Sequence, residues 1–291
     1  MRPDVRTHST SELEIYFVRH AESIANAGQA TTDPWSIGLS SLGEEQARAL
    51  ARSRFVDGLC SRVRDDSADI ALVVSRMART TLTITKTAQR IADARPSYLG
   101  LPIDALQPAA ALQPACAIQL DQWPIDEFTF LSYTKIGAAS TIEDRRRLAG
   151  PYWDKCDPAY RDGHDAESFS MFRARVRDTL ARLQSLAANI GTNTATFSKT
   201  TTTPISPLKD RVIVLVSHNR TMLMLMQECL WPTLNDTDAM QHFRDTTQTR
   251  LLHADANQQP EYSHGVNIPN TGILPMRVTK DGTWLGTIRS A

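Results

Sequence analysis

The sequence has no excess of either charge, few cysteines and no long hydrophobic run, and each lack excludes a class of protein. Its 291 residues contain 32 Lys plus Arg and 32 Asp plus Glu, so no overall field attracts the chain to nucleic acid or to an anionic membrane. Any anion must therefore bind in a local pocket. The cysteines are far apart and form no C-x-x-C pair, which argues against a metal or redox site and favours buried or inert thiols in a reducing compartment: Cys60, Cys116, Cys156 and Cys229.

The longest aliphatic run, Val212 to Val216, is too short to cross a bilayer. Residues Met1 to Ser11 are polar, unlike the apolar core of a signal peptide. We therefore expect a soluble, unprocessed, cytoplasmic protein that binds neither membranes nor nucleic acid. The length fits one domain over residues 1–291, with insertions.

Three short apolar runs, typical of buried strands, each end at a polar loop and lead into a helical pattern. The strands are predicted at 14–18, 69–74 and 211–216, and the helices that follow at 41–55, 77–92 and 221–230. Ser41 is the expected N-cap of the first helix, with Glu44 completing a capping box. A long amphipathic helix is predicted over 167–188. Strands that alternate with helices predict an α/β fold, a three-layer sandwich whose mostly parallel central sheet is flanked by helices.

Two segments interrupt this pattern. Residues 189–210 are rich in Thr, Ser and Pro and are predicted to be a flexible insertion. Residues 119–166 are rich in aromatics and are predicted to form a cap, whose rings serve either substrate choice or a small core of the cap itself: Trp123, Phe128, Phe130, Tyr133, Tyr152, Trp153 and Tyr160.

Basic side chains follow each predicted strand. Arg19 and His20 come after the first, Arg79 after the second and His218 after the third. The carboxyl ends of parallel strands open into one crevice, so these groups are expected to meet there. Two guanidiniums and two imidazoles suit a phosphate dianion. An imidazole can attack phosphorus and form a phosphohistidine without a metal or other cofactor.

Several segments carry a resemblance to a known family. Arg19-His20-Ala21-Glu22-Ser23 with Asn26 resembles the R-H-G-E-S/T-x-x-N signature of the histidine phosphatase superfamily, in its phosphoglycerate-mutase-like branch. The segments at 39–47, 75–83, 216–218 and 268–273 resemble its later motifs. Ala21, Arg76, Leu82 and Asn219 stand where the family has Gly, Pro, Gln and Gly.

The resemblance implies a phosphatase that acts on a small phosphate ester or a phosphorylated protein. His20 is then the nucleophile, Arg19, Arg79 and His218 hold the phosphoryl oxygens, and Asn26 contacts the phosphate or orients the loop. Two alternatives stay open: a mutase that retains the phosphoryl group, and a catalytically weak binding module. The chain lacks the W-N-x-E-N-R-F-like stretch of glycolytic mutases after Asn26, which favours hydrolysis.

The general acid is less defined. The family's L-x-E pattern fails here, because Gln122 stands where the Glu belongs. Downstream, the segment 126–131 resembles an E-F-T-Y-L variant, and Glu127 is the predicted acid beside aromatics that exclude water. Asp126 and Asp121 are its competitors.

Two further charged stretches are predicted to be less specific. The acidic residues and the histidine at 154–165 have no metal-ligand spacing and indicate a polar loop. Arg145, Arg146 and Arg147 form either a solvated face or a contact for a distal charge of the substrate.

Overall fold

The computed structural model describes residues 13–65, 67–94, 120–136, 140–188, 210–247, 250–253, 261–263, 267–279 and 282–290. The strands are β1 (Leu13–Arg19), β2 (Ala68–Val74), β3 (Leu120–Gln122), β4 (Asp210–Ser217), β5 (Arg250–His253), β6 (Glu261–Ser263), β7 (Ile273–Thr279) and β8 (Gly282–Leu285). The helices are α1 (Ser41–Ala51), α2 (Arg54–Arg64), α3 (Ala78–Ala94), α4 (Tyr133–Ile136), α5 (Ile142–Asp154), α6 (Phe169–Ala188), α7 (Asn219–Leu230) and α8 (Asp236–Thr247).

The main sheet has six strands in the order β3-β2-β4-β1-β7-β8, and β5 pairs with β6 separately. Strands β3, β2, β4 and β1 are mutually parallel. At the other edge of the sheet, β7 runs antiparallel to β1, and β8 runs antiparallel to β7. Val18 of β1 pairs with Val216 of β4 on one side and with Ile273 of β7 on the other. The carboxyl ends of β1, β2 and β4 therefore lie side by side, as expected from the basic residues that follow these three strands.

Alternating side chains of β1 supply two cores. Leu13, Ile15 and Phe17 face a cluster that includes residues of α6, α7 and α8, whereas Val18 faces a cluster with residues of α1, α2 and α3. Strands β1, β2 and β4 thus bury both of their faces, which explains why these runs are nearly continuous in apolar residues. The predicted α/β sandwich is confirmed.

The start and end of the first helix were predicted wrongly. Ser40, not Ser41, is the N-cap, and its hydroxyl accepts from the backbone N–H of Gly43 at 3.0 Å. The same hydroxyl donates to the carboxylate of Glu22 at 2.7 Å, a tertiary bond that favours Ser40 over its neighbour. The helix also ends at Ala51 instead of Phe55, because Ser53 caps a second helix, α2.

Most rings of the predicted cap belong to the main core. Trp123, Phe128, Phe130, Tyr152 and Trp153 are buried in the cluster that holds Phe17 and Phe172. The rings therefore form no small core of their own. Whether residues 119–166 act as a cap stays a prediction, and residues 119 and 137–139 lie outside the described residues, as do 189–209 of the predicted flexible insertion.

Within the described segments, no helix is both long enough and apolar enough to cross a membrane. Cys60 is buried as predicted, Cys229 is half-buried and Cys156 is exposed; Cys116 falls outside the described part.

Candidate active site

His20 lies directly after β1, at the carboxyl end of the central strands. Its backbone N–H donates to the carbonyl of Ser217 at 2.9 Å, which fixes it beside β4. Its Nδ1 is 2.6 Å from the carbonyl oxygen of Ala21. Because a carbonyl only accepts, Nδ1 carries the proton, and Nε2 of the neutral ring keeps its lone pair. Nε2 is therefore the nitrogen available for attack.

His218 meets His20 from the end of β4. The centroids of the two rings are 5.0 Å apart, with 55° between the ring planes. His218 is fully buried, and its Nε2 is 2.8 Å from Oγ of Ser75, which follows β2. Its Nδ1 is buried and has no hydrogen-bond partner among the described residues. Three strand ends thus converge on one pair of imidazoles.

Arg19 and Arg79 are buried with neutral partners. Nη1 of Arg19 donates to Oδ1 of Asn267 at 2.9 Å and to the carbonyl of Ile268. Arg79 donates from Nη1 to the carbonyl of Pro34 at 2.8 Å and contacts Sδ of Met77 through Nη2. In the described part of the chain neither forms an ion pair, and the buried Nε of Arg19 has no partner. Two desolvated cations therefore lack a counter-ion within the described segments.

These cations act on both histidines. Burial, then the charges of Arg79 and Arg19, hold the pKa of His20 well below its usual value. The pKa of His218 is lowered by burial and by Arg79. Burial also lowers the pKa of Arg19 and of Arg79, but a guanidinium stays charged at neutral pH. Both imidazoles are consequently neutral at neutral pH, the form in which an imidazole can act as a nucleophile.

The loop after His20 is braced by two helices. The N–H of Ala21 donates to Oγ1 of Thr83 on α3 at 2.9 Å, and that of Glu22 donates to Oε1 of Gln46 on α1 at 2.8 Å. A Cβ at position 43 would overlap the carbonyl oxygen of Glu22, so Gly43 permits the close approach of α1 to this loop. The glycine of the second motif therefore has a packing role.

Asn26 lies in the turn that follows. Its Oδ1 accepts from the hydroxyl of Ser23 at 2.9 Å, and Oγ of Ser23 accepts from the backbone N–H of Asn26 at 3.2 Å. These bonds orient the loop, which is one of the two roles expected for this residue. Its contact with phosphate stays a prediction.

Glu127 faces the arginines from the segment between β3 and α4. The N–H of Phe128 donates to its Oε1 at 3.0 Å. The negative charge of Glu127 raises the pKa of Arg19 and of Arg79, against the larger effect of burial. The carboxylate is thus within electrostatic range of both cations, with no ion pair to either within the described residues.

The two competing carboxylates are placed differently. Asp126 is 1% exposed, and both of its oxygens are occupied by Arg76, whose backbone N–H reaches Oδ1 at 2.8 Å and whose Nε reaches Oδ2 at 2.8 Å. A proline at position 76 could not donate the first of these bonds. Burial raises the pKa of Asp121, against a smaller opposing effect of the charge of Arg182 on α6. Glu127 acts on the pKa of both Arg19 and Arg79, whereas Asp126 acts on Arg79 alone of the two and less strongly.

Sequence reasoning missed Arg220 at this pocket, whereas Tyr133 was among the rings of the predicted cap. Arg220 comes two residues after His218 and lies over the ring of Phe130, 4.7 Å from its centroid. Tyr133 is half-buried, and the charges of Arg145 and Arg79 lower its pKa against the rise that burial causes. The sequence held a signal for Arg220, since it directly follows the motif at 216–219, but its side-chain direction depends on how α7 packs.

No group of three or more His, Cys, Asp or Glu side chains arranged to hold a metal ion occurs in the described segments. In the predicted polar loop, the carboxylate of Asp165 accepts instead from Ser132 at 2.6 Å and from Thr134 at 2.8 Å. That loop therefore anchors the start of α4.

No protein-family model matches the sequence, and no curated protein matches it significantly. Solved structures do match. A mycobacterial glucosyl-3-phosphoglycerate phosphatase has a TM-score of 0.54 at 16% identity, over 96% of this chain and 100% of that one. A putative alpha-ribazole-5'-P phosphatase from Escherichia coli has a TM-score of 0.52 at 14% identity, over 96% of each chain. A phosphoserine phosphatase from Entamoeba histolytica, solved with 3-phosphoglyceric acid, has a TM-score of 0.51 at 15% identity, over 96% of this chain and 98% of that one.

At such identities the likeness shows the fold. These structures are histidine phosphatase and phosphoglycerate mutase-like proteins, so this chain has their fold, as the sequence motifs indicated.

Proposed function

We propose that this chain is a metal-independent phosphatase that hydrolyses a phosphate monoester through a phosphohistidine on His20. One observation carries the proposal: two buried imidazoles, 5.0 Å apart between ring centroids, lie with two buried guanidiniums that have only neutral partners among the described residues. A buried cation without a counter-ion is costly unless a ligand anion completes the site. Similarity to structures titled as phosphatases supports the same activity.

The reaction has two displacements. Nε2 of His20 attacks phosphorus, the bond from phosphorus to the ester oxygen breaks, and Glu127 in its acid form gives its proton to the leaving oxygen. Arg19, Arg79 and His218 stabilise the charge on the remaining phosphoryl oxygens. Water then attacks the phosphohistidine, its proton passes to Glu127, and the bond from nitrogen to phosphorus breaks to release phosphate.

The carbonyl of Ala21 supports both steps. Its hydrogen bond with Nδ1 at 2.6 Å holds the imidazole in the attacking tautomer. The same bond stabilises the positive charge that the ring gains when Nε2 bonds to phosphorus.

Turnover of a chromogenic aryl phosphate, measured with a chelator present and without an alcohol acceptor, tests the proposal. His20→Ala should lower kcat by at least about 10⁴-fold, because it removes the nucleophile. His164→Ala is the matched control, since His164 is exposed in the loop after α5, and it should retain full activity. Rapid acid-free quenching with a labelled substrate should trap label on the wild-type protein alone. Equal turnover by wild type and His20→Ala would end the proposal.

The role of Glu127 is tested by comparing leaving groups. An alkoxide needs a proton more than a nitrophenolate does, so Glu127→Gln should slow an alkyl phosphate by about 10²-fold or more and the nitrophenyl ester far less. Asp121→Asn is the control that should slow neither ester selectively. Equal losses on both esters would remove Glu127 as the acid.

A further inference from the structure

Arg220 is a cation at the pocket with no hydrogen-bond or ion-pair partner among the described residues. It lies in the first turn of α7, two residues after His218, and its guanidinium rests on the face of Phe130, 4.7 Å from the ring centroid. Among the described residues it forms neither a hydrogen bond nor an ion pair. Phe130 belongs to the segment that carries Glu127. The cation–π contact holds the guanidinium at the ring, and its N–H groups, which have no acceptor among the described residues, remain available to an anion.

Arg145 approaches the same pocket from α5. Its Nη1 donates to neutral groups only: Oγ1 of Thr31 at 3.3 Å, and the carbonyl and Oγ of Ser140 at 2.9 and 3.0 Å. Backbone bonds between Thr31 and Ser140, at 2.9 and 3.0 Å, tie the loop after His20 to the start of α5. Arg145 is thus held toward the loop that carries the nucleophile.

The neighbours of Arg145 behave differently. Arg146 pairs with Glu143 at 3.4 Å, and Arg147 pairs with Asp144, all on the exposed side of α5. Arg145 has no carboxylate partner in the described part of the chain. Arg146 and Arg147 therefore each form a solvated ion pair, whereas Arg145 is directed at the pocket.

Electrostatic interactions with the site place both cations near it. Burial lowers the pKa of Arg220 and the negative charge of Glu127 acts against this effect, while the charge of Arg145 adds to the burial that lowers the pKa of Arg79. The pocket therefore has Arg19, Arg79, Arg145 and Arg220 around it, against the carboxylate of Glu127. A phosphoryl dianion offsets about two of these charges. Positive charge remains beyond what a simple phosphate ester can neutralise.

We propose that Arg220 and Arg145 form a second anion subsite, and that the substrate is a small phosphate monoester with a further anionic group, either a carboxylate or a second phosphate. This inference rests on the proposed phosphatase function. Arg220, stacked on Phe130, takes the distal anion directly, and Arg145 adds charge from the side of α5. The subsite selects the substrate, whereas His20, His218, Arg19 and Arg79 perform the transfer.

Three esters on one carbon skeleton test the subsite. Glycerol 3-phosphate has no second anion, 3-phosphoglycerate adds a carboxylate, and glycerol 1,3-bisphosphate adds a phosphate. For wild type we expect kcat/KM to be at least about tenfold higher for one of the two doubly anionic esters than for glycerol 3-phosphate. Arg220→Gln keeps an amide donor but removes the charge, and should lower this ratio by about 10- to 100-fold, the value of a charge-assisted hydrogen bond. Arg145→Gln should lower it less.

Arg146→Gln is the matched control, since it removes the same charge from the adjacent, exposed position of α5 and should leave the ratio unchanged. Calorimetric binding of the three esters to His20→Ala gives a second readout that needs no turnover, and should show the same preference and the same loss with Arg220→Gln.

The outcomes separate this inference from the proposed function. Turnover of glycerol 3-phosphate as efficient as that of the other two esters, or a ratio unaffected by Arg220→Gln, would overturn the subsite while the phosphatase stands. Absence of both turnover and binding with all three esters and with an aryl phosphate would overturn both. Preference for the carboxylate or for the bisphosphate identifies the second anion.

Discussion

Two groups of buried arginines in this chain have opposite surroundings. Arg173 on α6 is 1% exposed and is saturated by the chain itself, with Glu228 at 2.6 Å, Asp236 at 2.8 Å and the carbonyl of Leu234 at 2.7 Å. Arg79 is 6% exposed, yet it contacts only a carbonyl and a thioether among the described residues. Burial alone therefore does not distinguish a structural arginine from a ligand-binding one.

The two groups of arginines differ in whether the described chain supplies their counter-ions. Around Arg173 each charge has a partner within the chain, so the group stabilises the contact between α6, α7 and α8 without any ligand. Around Arg79 and Arg19, the described part of the chain provides neutral hydrogen-bond acceptors and no carboxylate in ion-pair contact. In the proposed function, an anion from solution supplies the counter-charge.

Removing Arg173 from its internal ion pairs should have the largest effect on stability. Arg173→Met leaves the buried carboxylate of Glu228, which is 2% exposed, with only the half-exposed Arg177 as partner. We expect the free energy of unfolding to fall by about 3–5 kcal/mol, as for other broken buried pairs. Urea unfolding measures this, and the double variant Arg173→Met with Glu228→Leu should recover much of the loss. A loss below about 1 kcal/mol would contradict the assignment of this group as structural.

Removing an unsaturated arginine should affect activity instead. Arg79→Met should lower kcat/KM for an aryl phosphate by about 10²- to 10³-fold, because a donor to the phosphoryl oxygens is lost. Its free energy of unfolding should change by less than about 1 kcal/mol or increase, since a buried charge without a counter-ion is removed. A fall in stability like that of Arg173→Met, with activity retained, would reverse the comparison.

The pH dependence of the free energy of unfolding should show the smallest of these effects. His20 and His218 have folded pKa values well below the ordinary 6.5. Between 6.5 and those lower values the unfolded chain binds protons that the folded chain does not, so stability is full above 6.5 and falls as the pH drops. The slope should reach about 1.4 kcal/mol per pH unit for each histidine.

Chemical unfolding on both sides of pH 6.5 measures this slope. His20→Asn should reduce it, whereas His164→Asn, at an exposed position, should not. The acid limb of kcat/KM should likewise lie below pH 6.5, because the neutral imidazole is the nucleophile. An unchanged slope in His20→Asn would show that this histidine titrates normally.

Much of this organisation was predictable from the sequence for identifiable reasons. The strands that end at Arg19, Val74 and Ser217 bury both faces, so their apolar runs were visible. Basic residues at their ends then located the crevice. The choice of Ser40 as N-cap was not predictable, because it depends on a bond to Glu22 that forms only in the folded chain.

The roles of the residues that differ from the family motifs also could not be predicted from those positions alone. Arg76 in place of proline has a meaning only beside Asp126, which is 50 residues further along the chain and accepts from both its backbone and its side chain. The direction of Arg220 similarly depends on the position of Phe130. Local sequence indicates which groups are present, and long-range packing decides which of them are free.

The central position of β1 has a consequence for how such a protein can change its specificity. Strand β1 is hydrogen-bonded on both edges, and the amides of Arg19 and His20 donate to Gly272 and Ser217. His20, the proposed nucleophile, therefore directly follows a strand whose amide hydrogens should be among the last to exchange with solvent. Adaptation to a new leaving group has to occur around Phe130, Arg145 and Arg220, where side chains can be exchanged without moving the imidazole.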